Sequence, residues 1–315
     1  MRLVRTLAIL VAVWPLGRAE EIALAGGGSE PVARLEAHGL AVAMLPGLGG
    51  KIISLKGSDG HEWLSRSGRP YRARAGLAGF GDGEFDGADE IFPTMDACDG
   101  LPAHGEAWRL AWKACDGPGL SYVLEGGLRP YRLQRSITIE PGAVQLAYVL
   151  QNRGDTELRY TYLFHPLFSI AEPLRMELPE AQPVVVTNAQ HNFLPKSGKP
   201  VPWSSLVDGP FATATASMAA KRFWSLAVSP APAFVRLRRP GGASLTMTWD
   251  AAALPHLAVW SCEASPFVGD LAHFAPEPAS GPTSKLSSAI ADGTAATVPA
   301  GGERRWSIRL AFAPR

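Results

Sequence analysis

Between Arg74 and Arg109 the chain carries eight acids and no basic residue except His104. The acids are Asp82, Glu84, Asp86, Asp89, Glu90, Asp96, Asp99 and Glu106. Phe80, Phe85, Phe92, Trp108 and Trp112 lie within or beside the same stretch. Carboxylates mixed with aromatic faces suit a sugar, whose C–H face packs on rings while its hydroxyls need fixed acceptors. A solvated acidic loop is the competing reading for most of these residues. His104 is followed by Gly105, which removes side-chain bulk beside the imidazole and permits a turn that other residues resist. His165 closes the strongly β run Tyr160–His165 and precedes Pro166, a position from which its ring could face a cleft between sheets. Glu277 is flanked by Pro276 and Pro278, which hold its backbone rigid. Each of these three residues, taken alone, fits a structural or surface role equally well.

Other chemistry is set aside on spacing. Asp82, Glu84, Asp86 and Gly87 begin like a calcium loop, but the twelfth position is Pro93, where a bidentate acid belongs. HExxH, the P-loop, GxSxG and the glycine-rich dinucleotide fingerprint are all absent. Three cysteines, Cys98, Cys115 and Cys262, without a CxxC, allow at most one internal disulfide and make no Cys-rich zinc site.

The elements that must position these residues read as strands. The chain has 315 residues, 46% of them hydrophobic and 19% charged, with 30 Lys+Arg against 29 Asp+Glu. That balance argues against a disordered chain and against a general nucleic-acid binder. The 33 glycines and 27 prolines suit many short strands joined by turns better than helices. Candidate strands are Leu40–Leu45, Ile52–Leu55, Glu62–Leu64, Leu120–Leu124, Tyr131–Ile139, Val144–Asn152 and Leu158–Ile170. Further candidates are Pro183–Val186, Phe223–Val228, Ala233–Arg238, Ser244–Trp249, Leu257–Trp260 and Trp306–Phe312. Residues 65–109 read as irregular. With no amphipathic helix of useful length and no linker after residue 30, the expectation is one all-β domain over 30–315. Its architecture would be a large antiparallel two-sheet sandwich.

The first residues read separately. Arg2 and Arg5 precede an apolar stretch, Thr6–Leu16, and Gly17 and Ala19 sit at the minus-three and minus-one positions of a cut after Ala19. This is the layout of a signal peptide over 1–19, which implies an exported, periplasmic or extracellular product without a transmembrane anchor. Its removal takes away Arg2, Arg5 and Arg18 and no acid, so the mature chain stays close to neutral.

Several blocks together resemble the aldose 1-epimerase (galactose mutarotase) family, in its more divergent bacterial form. Gly47–Leu55 followed by Gly60–Leu64 is similar to the family's opening strands. Phe85–Thr94 with Pro102–Trp108 resembles the segment bearing a first active-site histidine, which falls on His104. Tyr162–Phe168 is similar to the segment of a second histidine, here His165, and His273–Pro278 to the segment ending in a glutamate, here Glu277. Val298–Trp306 resembles the turn into the last strand. The resemblance runs from about residue 33 to 313, with the blocks in family order.

That resemblance implies a galactose mutarotase-like β-sandwich interconverting the α and β anomers of a free monosaccharide. It implies Glu277 as general base, His165 as general acid and His104 as a hydrogen-bonding partner of the sugar. Candidates for holding the substrate are Asp86, Asp89, Glu90, Phe92, Trp108, Phe168 and, as the family's arginine, Arg74. Arg69 and Arg72 are further candidates for that arginine, and none of the three sits in a matching motif. The chemistry implies no metal and no organic cofactor. A non-catalytic carbohydrate-binding protein on the same scaffold is the alternative.

Overall fold

The computed structural model describes residues 20–179, 183–189, 201–202, 213–214, 222–228, 234–262 and 272–314. The leader expected at 1–19 lies outside the described residues. Two large antiparallel sheets dominate. One has nine strands in the order Thr213–Ala214, Leu174–Glu177, Phe234–Arg238, Ser244–Trp249, Glu303–Ala313, Ala143–Asn152, Tyr131–Glu140, Leu120–Glu125 and Lys113–Ala114. The other has eleven. Its path runs Val201–Pro202, Pro183–Ala189, Arg222–Val228, His256–Cys262, His273–Ala279, Leu163–Pro166, Ala88–Ile91, Lys51–Lys56, Leu40–Leu45 and Ala33–Ala37, and Phe168–Ser169 pairs beside His273–Ala279.

The two sheets share one apolar core. Leu133, Leu146, Leu150, Leu245 and Leu310 from the first meet Val42, Ile52, Phe164, Leu257 and Phe274 from the second. Alternation along each strand then sends the intervening residues of the second sheet to its other face, because successive side chains point to opposite sides. That outer face is also covered. Leu77, Phe80 and Trp108, from the long segment after residue 65, pack on Ile91, Leu163 and Ala279.

Besides the expected strand Glu62–Leu64, which is reduced to isolated bridges from Glu62 to Lys56 and from Leu64 to Phe168, three expectations change in detail. The run Leu158–Ile170 is not one strand but three pieces. Leu158–Tyr160 pairs with Ala296–Val298 in a separate small sheet, and Leu163–Pro166 and Phe168–Ser169 join the large one. The break follows from side bonds. Thr161 donates its N–H to the Pro93 carbonyl and Tyr162 donates to Ser280 Oγ. Residues 65–109 contain the central strand Ala88–Ile91, whose two acids hid it. Both acids have buried cationic partners. Glu90 accepts hydrogen bonds from Arg135, Tyr148 and Tyr162 at 2.8, 2.8 and 2.7 Å, and Asp89 accepts one from Lys51 at 2.6 Å. Burial beside Glu90 pushes both phenols far above their usual range, so they remain donors.

The third change concerns Glu277. Its proline-flanked segment lies in a fully buried strand, His273–Ala279, in the middle of the sheet. Cys98 and Cys115 are free thiols. No helix among the described residues is long and apolar enough to cross a membrane.

His256 opens the strand beside it. Burial pulls its imidazole down to about 4, because desolvation disfavours the charged form. The folded state therefore resists protonation that the unfolded chain accepts near pH 6.5. Stability from this group is present above about pH 6.5 and lost as pH falls toward 4. Urea unfolding of the native chain and His256→Gln should show a gap that shifts by on the order of 2 kcal/mol in favour of the variant over that window. A gap independent of pH would remove His256 as the cause.

Candidate active site

Register brings the central pair together. Leu163 is opposite Ala279 and Phe168 is opposite Phe274, so one continuous register sets His165 opposite Glu277. Between those two anchor points no backbone pairing joins the strands. Pro166, Pro276 and Pro278 stand in that interval, and none of them has an N–H to offer. Side chains bridge the seam instead. His165 Nδ1 hydrogen-bonds Glu277 Oε1, and Glu277 Oε2 has no hydrogen-bond partner among the described residues. Glu277 is 0% exposed and His165 is 5% exposed.

On the other side, His165 is opposite Asp89, and the pairing of Ile52 with Ala88 sets Lys51 next in line. Lys51, Asp89, His165 and Glu277 thus form one row across four strands, all on the outer face. Lys51 is fully buried and also lies 3.8 Å from Asp86 Oδ1.

Aromatic rings surround His165. Trp260 stacks beside it with centroids 5.6 Å apart, Phe80 approaches to 5.8 Å and His104 to 6.3 Å. His104 is partly exposed and lies flat on Phe80, at 4.1 Å and an interplanar angle of 5°. Its backbone is left-handed at φ 63°, and its N–H donates to the Met95 carbonyl. Gly105 follows at φ 64°, where a Cβ would meet the Phe92 carbonyl oxygen at 2.0 Å. Only glycine fits there, and the Phe92 carbonyl is then free to accept from Glu106 and Ala107. Trp108 closes this wall, donating Nε1–H to the Gly105 carbonyl at 3.1 Å and meeting Phe80 edge-on at 5.0 Å.

The residues named from sequence therefore separate by face. His104, His165, Glu277, Trp108 and Asp89 lie on the outer face or on the segment that covers it. Arg74 lies beside Trp108, 5.4 Å above its ring, and bonds Glu84 at 3.1 Å. Glu90, Phe92 and Phe168 point the other way, into the core between sheets. Phe92 packs on Tyr131 and Tyr160 there, and Glu90, Phe92 and Phe168 are each 0% exposed. Asp86 is held beneath the covering segment by Ser67 N–H and Tyr71 O–H at 2.9 and 3.2 Å. Arg69 and Arg72 are exposed.

Sequence reasoning named Trp260 only as a strand end and did not single out Lys51. Their signal was parity. Trp260 stands opposite Ala275, on the same face as Glu277, and Lys51 shares the row of Asp89.

No protein-family model matches the chain, and neither does any curated sequence. Solved structures do match. A candidate aldose 1-epimerase of Klebsiella pneumoniae is 13% identical with a TM-score of 0.69, over 91% of this chain and 79% of that one. A galactose mutarotase-like protein of Clostridium acetobutylicum is 12% identical with a TM-score of 0.67, over 94% and 98%. A candidate aldose 1-epimerase of Escherichia coli K12 is 14% identical with a TM-score of 0.62, over 90% and 98%. The chain has the galactose mutarotase-like fold, a large all-β sandwich.

Gly105→Ala tests how His104 is held. The clash and the positive φ together should cost about 2 kcal/mol in urea unfolding. Unchanged stability would mean that the turn has room the geometry denies.

Proposed function

We propose that this protein is an aldose 1-epimerase that interconverts the α and β anomers of a free monosaccharide. The observation that carries the reading is the buried His165–Glu277 pair, with Glu277 Oε2 lacking a hydrogen-bond partner among the described residues. In the proposed cycle His165 carries a proton on each nitrogen, and Nδ1–H donates to Glu277 Oε1. Glu277 Oε2 takes the proton of the anomeric O1–H while His165 Nε2–H protonates the ring oxygen O5. The C1–O5 bond breaks, leaving an aldehyde at C1 and a hydroxyl at C5. Rotation about C1–C2 presents the other carbonyl face. O5 then attacks C1, its proton returns to His165, and Glu277 returns its proton to O1. Each positioned proton transfer contributes roughly 10²–10⁴-fold.

His104 is assigned to a hydrogen bond with the sugar, and Trp260, Phe80 and Trp108 to its C–H faces. Access to Glu277 requires the arm carrying Phe80 and Phe85 to swing outward. Gly79, Gly81 and Gly83 punctuate that arm, and a Cβ at Gly79 or Gly81 would meet nothing within 4 Å. No step draws on a metal or organic cofactor. Domain organisation follows the sequence reading: an exported chain whose residues 1–19 are removed, with 30–315 as one sugar-active domain.

The near-complete burial of Glu277 and His165 favours a second reading, a carbohydrate-binding protein without turnover. Polarimetry on freshly dissolved galactose or glucose separates the two. The native chain should speed the drift in rotation, and Glu277→Gln should lower that rate at least about 10²-fold while sugar binding persists by calorimetry. Saturable binding by the native chain with no rate above buffer would support the second reading. Full activity in Glu277→Gln would exclude Glu277 as the base.

A further inference from the structure

Lys51, Asp89, His165 and Glu277 sit side by side on four neighbouring strands, and with His165 neutral their charges do not cancel. Lys51 is then the one cation in the row. It faces Asp89 at 2.6 Å and Asp86 at 3.8 Å, while Glu277 holds the far side of His165. Three carboxylates thus share one ammonium around an imidazole. On the covering elements Arg109 lies 5.7 Å over the Trp108 ring and donates to the Leu77 carbonyl at 3.1 Å. Arg74 is matched by Glu84 at 3.1 Å. His104, at 6.3 Å, is the other titratable ring near His165, and His273 lies beyond Trp260, 4.6 Å from its ring. Asp89 is 1% exposed, and its Oδ1 has no hydrogen-bond partner among the described residues. Directly opposed residues of adjacent strands have Cβ atoms about 5 Å apart, so its charge acts on His165 at close range through protein rather than water.

We propose that Asp89 is a positioning residue whose negative charge, held in place by Lys51, keeps His165 in the doubly protonated form. This rests on the general-acid reading of His165 and extends it. Asp89 touches no reacting atom. It sets how much of the acid is loaded, and Lys51 tempers that effect from the other side.

Substitutions on the two sides of the pair should act in opposite directions. In Asp89→Asn the alkaline limb of the pH–rate profile should move to lower pH, while the rate on the acid side of that limb stays close to native. In Lys51→Met the same limb should move to higher pH. A merely structural role would lower the rate at every pH and leave the limb in place. Nitrogen-15 NMR of the histidines reads the doubly protonated fraction of His165 at pH 7 without needing turnover. That fraction should fall in Asp89→Asn and rise in Lys51→Met. Should either single variant fail to fold, Lys51→Met with Asp89→Asn removes both charges and should titrate close to the native chain. Limbs or fractions that move together in the two variants, that do not move, or that shift in the double variant as far as expected for Asp89→Asn, would overturn the proposal. A native chain with no anomerisation would instead sink the general-acid reading, and the NMR fractions would still decide the role of Asp89.

Discussion

Pro166, Pro276 and Pro278 withhold three backbone donors from the seam between two central strands, and the rest of the site follows from that deficit. An unpaired interval inside a buried sheet is costly unless other groups satisfy it or close it. Here the strands stay in register because they are pinned at both ends, by Leu163 with Ala279 and by Phe168 with Phe274. The side chains facing each other across the gap are an imidazole and a carboxylate. They bond to each other, so the place where the ladder fails is also the place where polar chemistry is installed. Prolines are normally confined to edges and bulges of sheets, and a central strand holding two marks a specialised position.

The period of two along a strand then assigns every neighbouring residue to one of two kinds of work. Glu90 and Asp89 are adjacent in sequence yet serve opposite faces. Glu90 ties Arg135, Tyr148 and Tyr162 together inside the sandwich, while Asp89 joins Lys51 beside His165. Both acids can occupy a central strand because each faces a buried cation, and removing either cation would leave its acid without compensation. The covering segment completes the outer face. Gly105 lets it pass against the Phe92 carbonyl, and Gly49, where a Cβ would lie 1.8 Å from the Trp108 carbonyl oxygen, lets the opening strands pass beneath it.

Much of the fold was legible because its long strands alternate cleanly. Tyr131–Glu140, Ala143–Asn152, Ser244–Trp249 and Glu303–Ala313 all fall where apolar and polar residues take turns. The strands that build the site were the hard ones. Ala88–Ile91 carries two acids, and His273–Ala279 carries two prolines, so local propensity points away from strand in both. Tertiary pairing with Lys51, Arg135 and His165 decides those elements, and such pairing is not visible in a window of neighbouring residues. The same limit applies to the candidate site. Histidine and glutamate contexts could be recognised singly, but the choice between Asp89 and Glu90, or between Trp108 and Phe92, depends on which face each strand presents.

A crystal structure of the chain with bound galactose would show where the sugar sits relative to the His165–Glu277 pair. One pyranose should lie beside His165, with Glu277 Oε2 within hydrogen-bond reach of O1, His165 Nε2 within reach of O5, and Phe80 displaced. A sugar seated elsewhere, with His165 and Glu277 still closed beneath Phe80, would contradict the proposed mechanism.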